Sequence, residues 1–402
     1  MKKLVFFHIL PLSLAVVFLF AASSKINSFL FPNINTVTEN SDFQYIPNFL
    51  KDNERFEAQF LQSGNGTENI FLLGSSELTS GGEALPFHFI SNHFTTQVKG
   101  VGHDGNQCLS IYSQLLANEN RLENVPVVII LSPGWFYKKD SRGTSSDLFL
   151  EFNSKNFIEN ILKIDAPNIV PFKQYEAKRI GNFYTEIVNP DINLRRLYFE
   201  YQSSKSKFHQ RIFYPVIQSN IFCNSLKHRL SNSKNDVPEI ENSATRKPAI
   251  SESVIINWDS LFLVSKQEHL EQATNNSWYI NNEYYNQYIK GKTRKIYRVS
   301  AEDNQELEDF YMLVKLLRTK NANASFIIIP LNPYYYTNIA ALTPLITTLE
   351  TELKSNQFPC LNLWNADTAT FDKGVLTDVM HLSKYGWYQV NKFIVETYHL
   401  AQ

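Results

Sequence analysis

Four short and almost wholly apolar runs constrain this chain of 402 residues more than any other feature. Ile70–Leu73 (IFLL) stops at Gly74, Val125–Leu131 (VPVVIIL) at Ser132-Pro133-Gly134, and Ser325–Ile329 (SFIII) at Pro330; Cys360–Trp364 (CLNLW) is the fourth. A brief apolar run without polar alternation reads as a strand buried on both faces. Helices must then cover both faces of a parallel sheet. Segments with helical spacing lie between the runs: Asn48–Ser63, Cys108–Ala117, Glu306–Thr319, Leu342–Leu353 and Lys384–His399. In Glu306–Thr319 the apolar positions Leu307, Phe310, Leu313, Val314 and Leu317 fall on one helical stripe. The expected fold class is therefore α/β with a central parallel sheet. The runs are unevenly spaced, so a mostly helical insertion is expected over about 140–320. Within it, 229–251 is rich in Ser, Asn and Lys and reads as an exposed linker.

The N-terminus bears on the compartment. Lys2 and Lys3 precede the apolar run Leu4–Ala22, which holds His8, Pro11 and Ser13 but no acid or base. That length suffices to cross a hydrocarbon core of roughly 30 Å. The two lysines stay cytoplasmic and the rest of the chain goes outward. A cleaved signal peptide, cut near Ala21-Ala22-Ser23, is the alternative; the length of the run favours an uncleaved signal anchor. The expected division is an anchor over 1–25 and an extracytoplasmic domain over 26–402.

Charge and cysteine content exclude several function classes. Lys+Arg 38 against Asp+Glu 39 leaves net charge −1, which argues against nucleic acid as a partner. Cys108, Cys223 and Cys360 lie far apart with no CxxC, unlike a disulfide scaffold or a zinc knuckle. His88, His93 and His103 lack the acids or thiolates of a convincing metal set.

Three segments carry candidate chemistry. Gly74-Ser75-Ser76-Glu77-Leu78 sits where a buried strand gives way to a turn that a helix can follow, a suitable seat for a nucleophile. An N-cap plus turn is the plain alternative. Asp378-Val379-Met380-His381 places a carboxylate and an imidazole three residues apart, just before the terminal helix. The carboxylate can hold one ring nitrogen while the other accepts a serine proton. A surface His beside a capping Asp is the alternative there. The third segment runs from Gly100 to Gln107, with Gly102 and Gly105 able to present backbone N–H groups to an oxyanion. It lacks the third glycine of a dinucleotide fingerprint and no clear strand precedes it, so no NAD or FAD cofactor is expected.

The order of these blocks resembles the SGNH (GDSL-like) hydrolase superfamily. Its Gly-x-Ser block selects Ser76 over Ser75, and its Asp-x-x-His block corresponds to Asp378 and His381. The Asn of its Gly-x-Asn-Asp block has no counterpart in Ser132-Pro133-Gly134-Trp135-Phe136. That departure, with Leu73–Leu78 (LGSSEL), Leu131–Phe136 (LSPGWF), Ile256–Asp259 (INWD), Phe326–Asn332 (FIIIPLN) and Asp378–Trp387, resembles the DltD family. Asn275–Tyr285 and Ser300–Phe310 look similar as well.

The resemblance implies a three-layer α/β/α domain tethered to the membrane. It implies transfer of D-alanyl groups to a teichoic-acid-like envelope polymer, with a DltB-like membrane-bound O-acyltransferase and an acyl carrier protein as partners. Ser76 would be the nucleophile, His381 the general base and Asp378 its orienting carboxylate, with no metal or cofactor. Backbone N–H groups of Ser76 and of Gly102 or Gly105 would serve the oxyanion, and Trp135 either lines an acyl pocket or belongs to the core. Glu77 either complements the following helix or binds the D-alanyl ammonium. An O-acetyl esterase or thioesterase uses the same residues, and a non-enzymatic adaptor needs none of them.

Overall fold

The computed structural model of the chain describes residues 68–79, 82–137, 143–153, 161, 166–189, 255–274, 277–296 and 303–401, with 10, 11, 13, 14, 45 and 46 nearer the N-terminus. The expected helix at 48–63 and linker at 229–251 lie outside these residues, as does most of the apolar run 4–22. Among the described residues no helix is long and apolar enough to cross a membrane.

Strands β1 (Tyr45–Ile46), β2 (Asn69–Leu73), β3 (Gln97–Val101), β4 (Val127–Leu131), β6 (Ala324–Ile328) and β8 (Cys360–Asn362) form one sheet in the order β1-β3-β2-β4-β6-β8. Every neighbouring pair is parallel. Two further strands, β5 (Arg294–Lys295) and β7 (Tyr336–Thr337), pair in parallel apart from it. The four apolar runs are β2, β4, β6 and β8, each within about two residues of the expected start. β2, β4 and β6 are buried almost throughout. β3 is a correction, because a strand does precede the glycine loop. Its sequence QVKGV is too polar to signal one, yet Gln97–Val101 pairs residue for residue with Asn69–Leu73. Pairing supplies what local propensity lacks.

Helix α1 (Pro86–His93) joins β2 to β3, and α2 (Cys108–Ala117) joins β3 to β4. The chain crosses the sheet in opposite directions in these two connections. Right-handed crossovers therefore put the two helices on opposite faces. On the α1 face, Ile70, Leu72, Val128, Ile130 and Ile327 form one core with Phe89 and Ile90. Trp387, Val390 and Ile394 join it from α8 (Lys384–Tyr398). On the other face lie Phe71, Leu73, Ile129 and Phe326, all fully buried. There α2 packs on α6 (Gln305–Thr319), whose buried Leu307, Phe310, Leu313, Val314 and Leu317 are the expected stripe. Asn304 caps α6 by accepting the Leu307 N–H (3.1 Å), and its amide donates to the Phe136 carbonyl (3.0 Å).

Between β4 and β6 the described helices also include α3 (Ser146–Phe152), α4 (Val170–Gly181) and α5 (Trp258–Glu271); α7 (Thr343–Ser355) follows β6. Residues 43–175 and 246–402 make one compact unit that holds the sheet. A second unit takes in residues 1–42 and 176–245; its described part is helical, ending in the π-helical turn Tyr184–Val188. Cys108 and Cys360 are free thiols.

The chain turns one way across the sheet after β2 and the other way after β3, so the C-terminal ends of β2 and β4 bound a topological switch point. Ligand crevices form at such points. At the opposite end, the buried Tyr398 hydroxyl donates to the Val127 carbonyl (3.1 Å) and lies 3.0 Å from Ser325 Oγ. Tyr398→Phe is expected to cost about 1–2 kcal/mol in urea unfolding while leaving the distant site intact. An unchanged midpoint would show that these bonds do not lock α8 to the sheet.

Candidate active site

Ser76 lies three residues beyond β2. The Gly74 N–H donates to the Val101 carbonyl (3.2 Å), which keeps the strand exit beside β3. A four-residue 3-10 turn, Ser76–Thr79, follows in place of the longer helix that the sequence allows there. The two adjacent serines diverge. Ser75 is buried and its Oγ accepts the Gly105 N–H (3.0 Å). Ser76 is half-buried and its Oγ lies 3.0 Å from His381 Nε2.

His381 Nδ1 lies 2.7 Å from Asp378 Oδ2. A carboxylate oxygen only accepts, so Nδ1 carries the proton and Nε2 is left to accept from Ser76. Asp378 Oδ1 accepts the N–H groups of Met380 and His381, both at 2.8 Å. Both carboxylate oxygens are thus occupied, and the imidazole has one preferred orientation. The turn is held in turn by backbone bonds. Thr377 N–H donates to the His381 carbonyl (2.9 Å), Asn332 N–H to that of Val379 (2.9 Å), and Asn281 N–H to that of Thr377 (2.9 Å). Asn332 also closes its own turn, accepting from Tyr334 and Tyr335 and donating to the Trp278 carbonyl. Ser383 caps α8 directly after the turn by accepting the Gly386 N–H (3.2 Å).

The glycine loop is stitched to the same strand exit. Asn106 donates to the Gly74 carbonyl (3.0 Å) and accepts from Gln114 (3.3 Å). Gly102 has φ +118°, and an added Cβ would overlap the Gly74 carbonyl oxygen. Its glycine therefore serves close backbone approach. The Gly105 N–H is already engaged by Ser75. Trp135 stands at the same edge of the sheet, in the turn Pro133–Trp135 after β4, and is only 7% exposed. Glu77 is 2% exposed, and its Oε2 accepts the Ser75 N–H (2.8 Å). Its carboxylate therefore braces the turn from within and is closed to a ligand. His103 lies tilted against Phe152, with ring centroids 4.8 Å apart, and His93 stacks on Phe89 at 4.4 Å.

Electrostatics favour a charged imidazole. Burial, the largest influence, opposes protonation of His381. The hydrogen bond and charge of Asp378, with the charges of Glu77 and Asp104, outweigh it and hold the pKa above the ordinary 6.5. Burial also pushes the Glu77 carboxyl up, against its backbone hydrogen bonds. Tyr284 and Tyr336 stand within the field of Asp378. Burial first raises both phenols; for Tyr284 the Asp378 charge comes next and brings it to about 12, while for Tyr336 the neighbouring Tyr137 outranks Asp378. Both phenols thus stay neutral in the field of Asp378.

The arrangement is a serine hydroxyl aligned with an oriented base, on the C-terminal side of a parallel sheet. A family model described as DltD protein matches residues 46–399. The chain belongs to the DltD family. Protein DltD of Bacillus subtilis (strain 168) is 24% identical over 370 residues, covering 85% of this chain and 86% of that protein. Protein DltD of Staphylococcus aureus (strain NCTC 8325 / PS 47) is 20% identical over 339 residues, covering 81% and 80%. The DltD match spans both halves of the relay, from the β2 exit to the turn before α8.

Sequence reading brought Ser76, His381 and Asp378 together but missed the residues that brace them. Asn106, Asn281 and Asn332 all lie within segments already singled out. Their roles depend on loops meeting in space, which leaves no periodic trace.

The His381 ring protons are expected to titrate above 6.5 in an NMR pH series, and Asp378→Asn to lower that value. Because the folded pKa is raised, the group stabilises the fold fully below 6.5 and ceases to do so as pH rises through the folded value. A pKa unmoved by Asp378→Asn would contradict the coupling.

Proposed function

We propose that this chain is a membrane-tethered, extracytoplasmic acyl-transfer protein of the D-alanylation type. In this reading it passes D-alanyl groups through a Ser76 ester to a hydroxyl of a teichoic-acid-like polymer. The observation that carries the reading is the continuous Ser76–His381–Asp378 relay in a DltD-family chain. The run Leu4–Ala22 serves as the tether. A membrane-bound O-acyltransferase and an acyl carrier protein are the partners this role requires.

The chemistry follows from the relay. Ser76 Oγ attacks the acyl carbonyl as its proton passes to His381 Nε2. The imidazolium is held by Asp378 and then protonates the leaving group as the donor bond breaks. An ester on Ser76 remains. The acceptor hydroxyl next gives its proton to His381, attacks that ester, and Ser76 Oγ recovers the proton. The Ser76 N–H has no acceptor among the described residues and is the donor assigned to the developing oxyanion. Gly105 assists only indirectly, because its N–H already fixes Ser75. An esterase or thioesterase reading differs only in taking water as the acceptor.

Intact mass of the full-length chain in detergent, after exposure to a D-alanyl thioester, tests this. One D-alanyl adduct is expected on the wild type and none on Ser76→Ala. Asp378→Asn is expected to slow acylation by on the order of 10⁴-fold. An adduct that survives Ser76→Ala would overturn the nucleophile assignment. Rapid Ser76-dependent hydrolysis without adduct would favour the esterase.

A further inference from the structure

Asp104 occupies the tip of the glycine loop, and both sides of that loop are tied to the nucleophile turn. Gly105 N–H reaches Ser75 Oγ (3.0 Å) and Asn106 Nδ2 reaches the Gly74 carbonyl (3.0 Å). The stitches hold the loop that carries Asp104 beside the Gly74–Ser75 turn, within electrostatic reach of His381 and Glu77. Asp104 is exposed. It makes no hydrogen bond or ion pair with any described residue, whereas Glu77 is sealed under the turn.

A Ser–His–Asp relay needs one carboxylate. Beyond the directly bonded Asp378, Glu77 and Asp104 are within electrostatic reach of this imidazole, and of these two only Asp104 is open to solvent. An aminoacyl donor carries an ammonium two bonds from the carbonyl that Ser76 attacks. In the transition state the ammonium lies beside a newly formed imidazolium, and the two cations repel. An accessible carboxylate at the loop tip offsets that repulsion for a cationic acyl group and does nothing for a neutral one.

We propose that the Asp104 carboxylate receives the ammonium of an aminoacyl donor while its carbonyl lies on Ser76, and so selects aminoacyl over uncharged acyl groups. This rests on the acyl-transfer reading above. It moves ammonium recognition from Glu77, which is buried, to Asp104, which faces solvent.

The test compares D-alanyl and D-lactyl thioesters, which differ in ammonium against hydroxyl, on full-length wild type, Asp104→Asn and Asp104→Glu. Rates are compared near neutral pH, below the α-amine pKa of about 7.7–8.0, where the donor still carries its ammonium, each corrected through the variant's own pH profile for the fraction of neutral His381. Asp104→Asn is expected to lower kcat/KM for D-alanyl about three- to tenfold and to leave D-lactyl within about twofold. Asp104→Glu is expected to keep the preference. An equal loss on both donors would overturn the proposal alone, leaving Asp104 as a tuner of His381. Reaction of neither donor at Ser76 of the wild type would overturn the acyl-transfer reading and the proposal with it.

Discussion

The 3.0 Å hydrogen bond between Ser76 and His381 joins residues 305 positions apart, and much of the structure serves to hold it. Its serine end is fixed by β2, a buried strand with neighbours on both sides. Its histidine end has no strand beneath it. It depends on the turn Thr377–His381, on Asp378 saturated within that turn, and on two backbone bonds from Asn281 and Asn332. Loops alone drift; a loop tied to two others by buried or half-buried hydrogen bonds does not.

Charge and burial divide the labour around this bond. Asp378 orients the ring, and the neutral tyrosines beside it add no competing negative charge. Glu77 shows how a buried acid can be structural even beside a serine that meets an imidazole. Its Oε2 takes the Ser75 N–H, which frees the next residue to point outward. Ser75 completes the arrangement by accepting from the glycine loop. One serine is thus consumed to build the turn, and the hydroxyl of the other meets only the imidazole among the described residues.

The fold was legible where burial dominated. IFLL, VPVVIIL and SFIII mark β2, β4 and β6 because a strand covered on both faces admits few polar residues, and CLNLW marks β8, the half-buried strand at the sheet edge. β3 was illegible because Lys99 and Gly100 break the pattern, and only its register with β2 makes QVKGV a strand. The relay was legible because two short motifs carry its three residues. The roles of the glycines and of Glu77 were not. Spacing places Gly102 and Gly105 near Ser76, but only geometry shows one packed on a carbonyl and the other's N–H engaged by Ser75. Exposure likewise separates Glu77 from Asp104, and neither residue's neighbours in the chain announce it.

The most direct test of the account is labelling of the full-length chain by a fluorophosphonate, followed by peptide mapping. A serine activated by a neutral imidazole reacts with such a reagent, and an ordinary serine does not. The account predicts one adduct, on Ser76, forming faster as pH rises through the His381 titration and abolished by His381→Ala. Labelling of a different serine, or labelling of Ser76 that is indifferent to His381, would contradict it.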